Sequence, residues 1–285
     1  MSGADRMHKN YDSATVEGFG DEWVRFDQSP VAGSELREIF DQYFRLFPWE
    51  AIAADAAGMD VGCGSGRWAK LVAPRVGLLH CIDASDAALG VARRNLEGYA
   101  NCRFVHASVD EIPLPDSSLD FGYSLGVLHH APDTSAAIRS CSAKLKPGAP
   151  FLLYLYYALD NRSFLFRLCW KVSDLVRRAV SNAPHRVRYW ISQIIVALVY
   201  WPLARMARLL ERAGANVSGF PLSGYRNRSF YIMRNDALDR FGTVLEQRFT
   251  ATEIKRMMAE AGLERIRVGD QFPYWCAIGY RKSAQ

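Results

Sequence analysis

The stretch Gly58–Leu71, GMDVGCGSGRWAKL, decides the fold of this 285-residue chain. A short apolar approach leads to Asp60, three glycines follow within five residues, and a helical pattern begins after them. In a parallel sheet, the turn between a strand and its following helix faces the ligand crevice. Glycines there let the backbone bend tightly and approach a ligand. The stretch therefore predicts the first strand, turn and helix of a ligand-binding α/β domain.

Short apolar runs alternate with helical patterns from about Met59 to Tyr157. The further strand candidates are LLHCIDAS, CRFVHASV, LDFGYSLGVL and FLLYLYY, and the helices between them include AALGVARRNLEGY and TSAAIRSCSAKLKPG. This alternation predicts a parallel sheet covered on both faces. Near the end of the chain, TATEIKRMMAEAGL predicts a helix with a threonine cap, and RIRVGD and YWCAIGYRK predict two closing strands.

A different pattern separates these two regions. The sequence pattern of residues 162–213 predicts helix almost throughout, and Pro184 and Pro202 are expected to break it. The apolar run YWISQIIVALVYW within them is shorter than the roughly 20 residues that span a bilayer. We therefore predict an α/β fold, a Rossmann-like doubly wound seven-stranded sheet with a helical lid inserted after the fifth strand. The expected domains are a helical cap (1–50), the Rossmann-like domain (51–160 and 236–285) and the insert (161–235).

Charge is distributed unevenly along the chain. The net charge is +5, but residues 160–215 hold ten Lys or Arg against three Asp or Glu, which is +7 and leaves −2 elsewhere. A general polyanion-binding role is therefore not indicated, and no nucleic-acid partner is expected. The basic insert has three interpretations. The favoured one is a lid that closes on substrate, since buried lid helices need an apolar stripe. The others are an amphipathic surface that meets anionic lipid, with Trp190 and Trp201 as anchors, and a surface for dimerisation.

The cysteines and the N-terminal sequence bear on the cellular compartment. Six cysteines are scattered without a CxxC pair, so we expect reduced thiols in a cytoplasmic protein and neither a disulfide frame nor a metal site. The first residues lack the apolar core of a signal peptide. We expect a monomer or a homodimer.

Two carboxylates indicate the ligand of the glycine turn. The spacing is GxGxG followed by Arg67, which differs from the GxGxxG of dinucleotide sites. Asp83 lies 23 residues after Asp60 at the end of the second strand, where a carboxylate can accept hydrogen bonds from both ribose hydroxyls. Asp60 can accept hydrogen bonds from the turn or, through water, face an ammonium group. A ligand with an amino-acid end, a ribose and no phosphate satisfies these features.

In this order and spacing, DVGCGSG, CIDAS, SVDEIPLPDSSLDFGYSLGVLHH and KLKPG resemble the class I S-adenosylmethionine-dependent methyltransferases, of the type 11 kind. The resemblance covers Gly58 to Tyr157 closely and Phe249 to Arg281 more loosely. It implies S-adenosyl-L-methionine as cofactor. The cofactor-binding residues that it implies, together with Asp60, are Tyr11, Gly62, Cys63, Gly64, Asp83, Ala84, Ser108, Val109, Ser124, Leu125 and His129. Many relatives carry Asp where Ser108 stands, so Asp110 is an alternative adenine contact.

The same resemblance directs attention to groups that can act on a substrate. The predicted catalytic residues are His130, Tyr154 and Tyr156, with a histidine serving as base only if the nucleophile is protonated. His129 is expected beside the cofactor, or else as a packed residue that holds the loop. Aromatic faces attract a sulfonium through cation–π contacts. The predicted substrate and lid residues are Trp23, Phe26, Tyr157 and Arg226.

Three functions remain open from the sequence. The first is methyl transfer to a small molecule, a metabolite or a natural-product intermediate. The second uses the same cofactor as its own substrate: its amino group attacks the γ-carbon, which forms azetidine-2-carboxylate and releases methylthioadenosine. The third is a non-catalytic protein that binds the cofactor or a membrane surface.

Overall fold

The computed structural model describes residue 10 and residues 12–283. Seven strands form one sheet: β1 (Ala57–Val61), β2 (Leu78–Asp83), β3 (Cys102–His106), β4 (Phe121–Leu125), β5 (Pro150–Tyr154), β6 (Leu263–Val268) and β7 (Cys276–Arg281). Their order is β3-β2-β1-β4-β5-β7-β6. The first five are parallel, and β7 lies antiparallel between β5 and β6. The predicted seven-stranded Rossmann-like sheet is confirmed, although β4 and β5 are shorter than the apolar runs indicated.

The described residues also form helices, numbered here in chain order. They are α1 (Ser13–Arg25), α2 (Gly33–Tyr43), α3 (Ala69–Val72), α4 (Asp86–Asn95), α5 (Thr134–Ala143), α6 (Phe164–Ser181), α7 (His185–Ile195), α8 (Trp201–Arg212), α9 (Phe230–Gly242) and α10 (Ala251–Glu260). The predicted threonine cap is present: Thr250 and Glu253 form a reciprocal capping box at the start of α10. The cap fixes where the chain re-enters a helix before the closing strands.

The central strands form the apolar core because they are covered on both faces. All five residues of β4 are buried, and Met59, Phe121 and Phe151 from three neighbouring strands are completely excluded from solvent. The sequence of such a strand is a continuous apolar run, because neither face of the strand is exposed to water. Asp60 is the exception within β1, because a carboxyl group is buried among these apolar side chains.

The chain divides into two compact units. The first comprises the described parts of residues 1–27 together with residues 36–158 and 245–283, and it contains the sheet. The second comprises residues 28–35 and 159–244, and it contains α6 to α9. The insert predicted from the sequence, residues 161–235, falls within the longer segment of the second unit.

The second unit has its own apolar core, in which Val196, Tyr200, Ala204, Met233 and Phe241 pack together.

One prediction about the helices of this unit is wrong. Pro202 was expected to break the helix, but the helix is continuous from residue 185 to residue 212. A π-helical turn at residues 196–200 precedes the proline. Such a turn changes the hydrogen-bond pattern locally, so the helix continues past a residue that cannot donate.

This continuous helix is longer than the apolar run that the sequence analysis compared with the thickness of a bilayer. Within the described residues, the helix at 185–212 has 28 residues and is long and apolar enough to cross a membrane by those two criteria. The sequence analysis compares only the apolar run YWISQIIVALVYW with the thickness of a bilayer, whereas the helix extends beyond this run at both ends. Length and composition alone are weak evidence for a span, since core helices of soluble proteins meet them too. Here, however, only 22% of the most apolar window is buried.

An ion cluster occupies the interior of the second unit. Asp174 accepts a hydrogen bond from Arg177 Nε at 2.7 Å and lies 3.8 Å from Arg240, and all three side chains are largely buried. Exposed Arg178 also contacts Asp174, at 3.0 Å. Burial raises the pKa of Asp174, but the hydrogen bond and charge of Arg177 outweigh that effect and hold the pKa below its usual value.

We expect Asp174→Ala to lower the free energy of unfolding by about 3 kcal/mol, because it leaves two buried guanidinium groups without their carboxylate. Arg178→Ala is the matched control. It removes the exposed partner and should cost less than about 1 kcal/mol. Urea unfolding followed by circular dichroism measures both changes. Equal, small losses in the two variants would show that the buried cluster does not hold this unit together.

Candidate active site

The sheet has one topological switch point, between β1 and β4. The chain continues from β1 to β2 on one side and from β4 to β5 on the other. In open α/β sheets, ligands bind outside the carboxyl ends of the strands at such a point. The glycine turn of residues 62–66 follows β1 directly, and residues 126–130 follow β4 directly. Two predicted parts of the site therefore lie at the same edge of the sheet.

The glycine turn is closely packed by the protein itself. Gly62 and Gly64 have φ angles of +76° and +53°, which favour glycine. A Cβ atom on Gly62 would lie 2.4 Å from Val127, and one on Gly64 would lie 2.6 Å from the ring of Trp23. The sequence indicated that the turn is bare so that a ligand can approach. The structure adds that the turn must also be bare to accept Val127 and Trp23.

Asp83 holds this turn to the end of β2. Its carboxylate accepts hydrogen bonds from the Gly64 N–H at 2.8 Å and from the Ser85 N–H at 2.9 Å. Burial raises the pKa of Asp83, and these two hydrogen bonds oppose the rise. Each carboxylate oxygen has a second lone pair. Contact with ribose hydroxyls stays a prediction, and it is compatible with both backbone contacts.

Asp60 is the most unusual group at this edge. It is 1% exposed, and among the described residues its Oδ2 atom has no hydrogen-bond partner. Burial raises the pKa of Asp60 to about 8, helped by the charge of Asp83 and opposed by the Tyr123 hydroxyl and the charge of Arg67. The carboxyl group is therefore largely protonated near neutral pH. An ammonium group brought to it would favour the ionised form.

The residues predicted for the adenine end lie after β2 and β3. The Ala84 carbonyl is 2.9 Å from His106 Nε2, and the Ser108 hydroxyl donates to the carboxylate of Asp110. The Ser108–Asp110 contact places the two alternative adenine-binding groups side by side. Val109 packs against the apolar core as a partly buried side chain. Their contacts with adenine stay predictions.

The predicted sulfonium neighbours occupy the end of β4. Ser124 is fully buried, and its hydroxyl donates to the Val61 carbonyl of β1 at 2.8 Å. Its side chain thus ties the two strands of the switch point together. Leu125 is also buried. These positions place the residues beside the crevice, and a direct contact with the cofactor stays a prediction.

An imidazole pair follows β4. The ring centroids of His129 and His130 are 3.9 Å apart, and the His129 ring lies 3.9 Å from that of Tyr156. His129 is fully buried, and neither ring nitrogen has a hydrogen-bond partner among the described residues. Burial and the neighbouring His130 lower the pKa of His129 far below its usual value. The structure therefore brings together two predicted site histidines and Tyr156, with Tyr154 at 6.0 Å from Tyr156.

The sequence analysis missed the cation beside this pair. The Arg248 guanidinium lies 5.1 Å from the centre of the Tyr156 ring, and its Nη1 donates to the Tyr157 carbonyl at 3.2 Å. Arg248 also pairs with the buried side chain of Glu246 at 2.8 Å. No motif marks this arginine. Its only local signal is its place just before the capped helix α10. The neighbouring residue Phe249 forms a β-bridge with Tyr157, which brings Arg248 beside the residues that follow β5.

Other predicted site residues have different surroundings. Phe26 is fully buried, and Tyr157 contacts the rings of Tyr274 and Trp275. Arg226 belongs to the second unit, where it pairs with Glu211 at 2.8 Å. Tyr11 lies outside the described residues. Trp23 and the residues of the glycine turn, Gly62, Cys63 and Gly64, remain together at the carboxyl end of β1.

Comparisons with known proteins place the glycine turn within a methyltransferase domain. Residues 59–153 match the family model of a methyltransferase domain. A ubiquinone biosynthesis O-methyltransferase of Xanthomonas axonopodis pv. citri is 28% identical over 181 residues, which cover 62% of this chain and 70% of that protein. One from Aromatoleum aromaticum is 27% identical over 160 residues, covering 55% and 67%.

The fold itself is also found among solved structures. A proposed S-adenosyl-L-methionine-dependent methyltransferase from Methanococcus maripaludis superposes with a TM-score of 0.51 at 14% identity, covering 98% of this chain and 99% of that one. The two structures share the Rossmann-like fold. Residues 59–153 form a methyltransferase domain of the class I S-adenosylmethionine-dependent kind, whose cofactor is S-adenosylmethionine.

The residues present fit this cofactor. Buried Asp60 Oδ2 offers an unsatisfied acceptor for an ammonium group, and Asp83 offers further lone pairs beside the glycine turn. The ammonium group and the ribose hydroxyls of the cofactor are donors that these two acceptors can receive. The cofactor supplies an electrophilic methyl carbon when it is bound. The protein's part is to hold it there and to exclude water.

We expect binding of S-adenosylhomocysteine to release about one proton at pH 7, because the ammonium group ionises Asp60, whose pKa in the free protein is about 8. Affinity should therefore rise with pH and level off above about pH 8. Titration calorimetry in buffers of different ionisation enthalpy measures the proton release.

The Asp60→Asn variant should bind more weakly and without proton release. Asp86→Asn, which changes an exposed carboxylate on α4, is the matched control and should behave as the natural protein. Proton release that persists in Asp60→Asn would show that another group is linked to binding.

Proposed function

We propose that this methyltransferase acts on a small molecule and that the acceptor atom is a hydroxyl oxygen. The observation that carries the proposal is the imidazole pair at the end of β4. A hydroxyl nucleophile has to lose its proton during methyl transfer, and a neutral histidine is a suitable base. The relatives named as O-methyltransferases of ubiquinone biosynthesis support oxygen as the acceptor atom.

The hydrogen bond of His130 assigns its tautomer. Nδ1 lies 2.7 Å from the Leu245 carbonyl, which can only accept, so neutral His130 carries its proton on Nδ1. Nε2 then holds the basic lone pair. In this proposal, Nε2 takes the acceptor's hydroxyl proton, and His129 and Tyr156 pack against the ring to fix its direction.

Arg248 completes the proposed arrangement. An oxygen that loses its proton develops negative charge, and a fixed guanidinium nearby stabilises that charge. Glu246 and the Tyr157 carbonyl hold Arg248 in place. Because phenolic oxygens ionise more easily than alcohols, this combination of base and cation favours a phenolic acceptor.

We expect His130→Gln to lower kcat for a hydroxyl acceptor by about a hundredfold or more, with the KM for S-adenosylmethionine little changed. The assay combines the protein with S-adenosylmethionine and a panel of phenols, amines and thiols. Mass spectrometry then detects S-adenosylhomocysteine and the methylated product. His80→Gln on β2 is the matched control and should keep its activity.

The same assay tests the rival function. None of the reported relatives supports the cyclase, and S-adenosylmethionine alone should give no methylthioadenosine above the uncatalysed background. Methylthioadenosine formed without an acceptor would overturn the proposal. So would a product methylated only on nitrogen or sulfur, or a His130→Gln variant with full activity.

A further inference from the structure

Helix α6 in the second unit is amphipathic, but most of its large apolar side chains are on the exposed face. Its apolar side chains recur every three or four residues on the exposed face, and they are Phe164, Leu168, Val172, Leu175 and Val176. Its buried face instead carries the ion pair of Asp174 and Arg177 together with Val180 and Ser181. An ordinary surface helix turns its apolar stripe toward the core.

The helix at residues 185–212 also carries large apolar side chains on its exposed side. Large exposed side chains follow one another along it at helical spacing: Val187, Trp190, Ile194, Leu198, Trp201 and Leu209. Its buried side consists of Ser192, Val196, Tyr200, Ala204 and Ala207. Across both helices the exposed apolar side chains are 38–76% accessible. Extended apolar patches on soluble monomers are uncommon and mark interaction sites.

Charge indicates which partner this surface meets. Arg167, Lys171 and Arg178 are exposed and follow one edge of the α6 stripe at helical spacing. They belong to residues 160–215, whose net charge is +7 while the rest of the chain is −2. Apolar stripes with tryptophans and a basic edge are typical of helices that lie in the interface of an anionic membrane.

We propose that the exposed stripes of α6 and of residues 185–212 dock the protein on the surface of an anionic lipid bilayer. This surface lies wholly in the second unit, and the proposal does not depend on the methyl acceptor. A symmetric pair of copies would bring the same basic edge against itself, which costs energy.

The contacts of the helix at residues 185–212 favour a position in the membrane interface and not one that crosses the bilayer. One side of the helix at 185–212 is packed within the second unit, around Val196 and Ala204. Arg188 and Arg205 along it donate to the carbonyls of Gly242 and Arg226. The exposed stripe of α6 lies on another helix, which would remain uncovered if only residues 185–212 entered the membrane.

Vesicle sedimentation tests the docking surface without substrate. The protein should bind vesicles of phosphatidylcholine mixed with phosphatidylglycerol, and bind pure phosphatidylcholine more weakly. Arg167→Gln/Lys171→Gln/Arg178→Gln should weaken binding to the mixed vesicles by at least about tenfold. Val172→Ser/Leu175→Ser should weaken binding to both. The matched control Lys70→Gln/Arg94→Gln/Lys255→Gln removes three exposed charges from the first unit and should bind as the natural protein does.

A probe at Cys169 reports the depth of docking. Cys169 on α6 is exposed, whereas the other five cysteines are buried, so a thiol-reactive, environment-sensitive fluorophore labels it selectively. Its emission should shift to the blue on the mixed vesicles. Quenchers placed near the lipid headgroups should be more effective than quenchers at the bilayer centre. The triple α6 variant, labelled in the same way, should show no shift.

Several outcomes would overturn the proposal. One is equal vesicle binding by the α6 variants and the control, and another is no binding to either kind of vesicle. Dissociation of a dimer by Val172→Ser/Leu175→Ser, measured by light scattering, would identify the surface as an interface between copies. A raised KM for a water-soluble acceptor with unchanged vesicle binding would identify it as a lid. Preferential quenching from the bilayer centre would indicate a span.

Discussion

A carboxyl group held away from water at the end of β1 is the constraint on which the site depends. Asp60 has a pKa near 8 because burial penalises its charged form. In the free protein this raised pKa contributes stability below the unfolded value near 4, and the contribution is lost as the pH rises through about 8. The site thus costs stability at neutral pH. An ammonium group bound at Asp60 would offset that cost, and binding would then be coupled to the protonation of Asp60.

Around this group the chain's own side chains shape the glycine turn. Trp23 of α1 and Val127 after β4 occupy the space that Cβ atoms would fill on Gly64 and Gly62. Asp83 then fixes the Gly64 amide from the side of β2. Helix α1 and the carboxyl ends of β1, β2 and β4 therefore all position the turn. A change in any of these elements alters the place where a cofactor meets the sheet.

The sequence predicted what depends on local pattern. The strand–helix alternation, the Thr250 cap and the glycine turn with Asp83 all follow from period, capping chemistry and spacing. What it missed depends on tertiary contacts. Pro202 does not end its helix, because a π-helical turn accommodates it. Arg248 reaches Tyr156 only because a bridge joins residues that are distant in sequence. The roles of individual site residues stay predictions, since binding itself tests them.

The two units differ in how much large apolar surface they leave exposed. The first buries its apolar side chains around the sheet and holds among them Asp60, whose Oδ2 atom has no hydrogen-bond partner among the described residues. The second buries a carboxylate, Asp174, whose partners are its own arginines, and turns large apolar side chains outward. The buried ion pair makes the inner face of α6 partly polar, and five large apolar residues of α6 lie on its outer face. An apolar outer face gains free energy only when something other than water covers it.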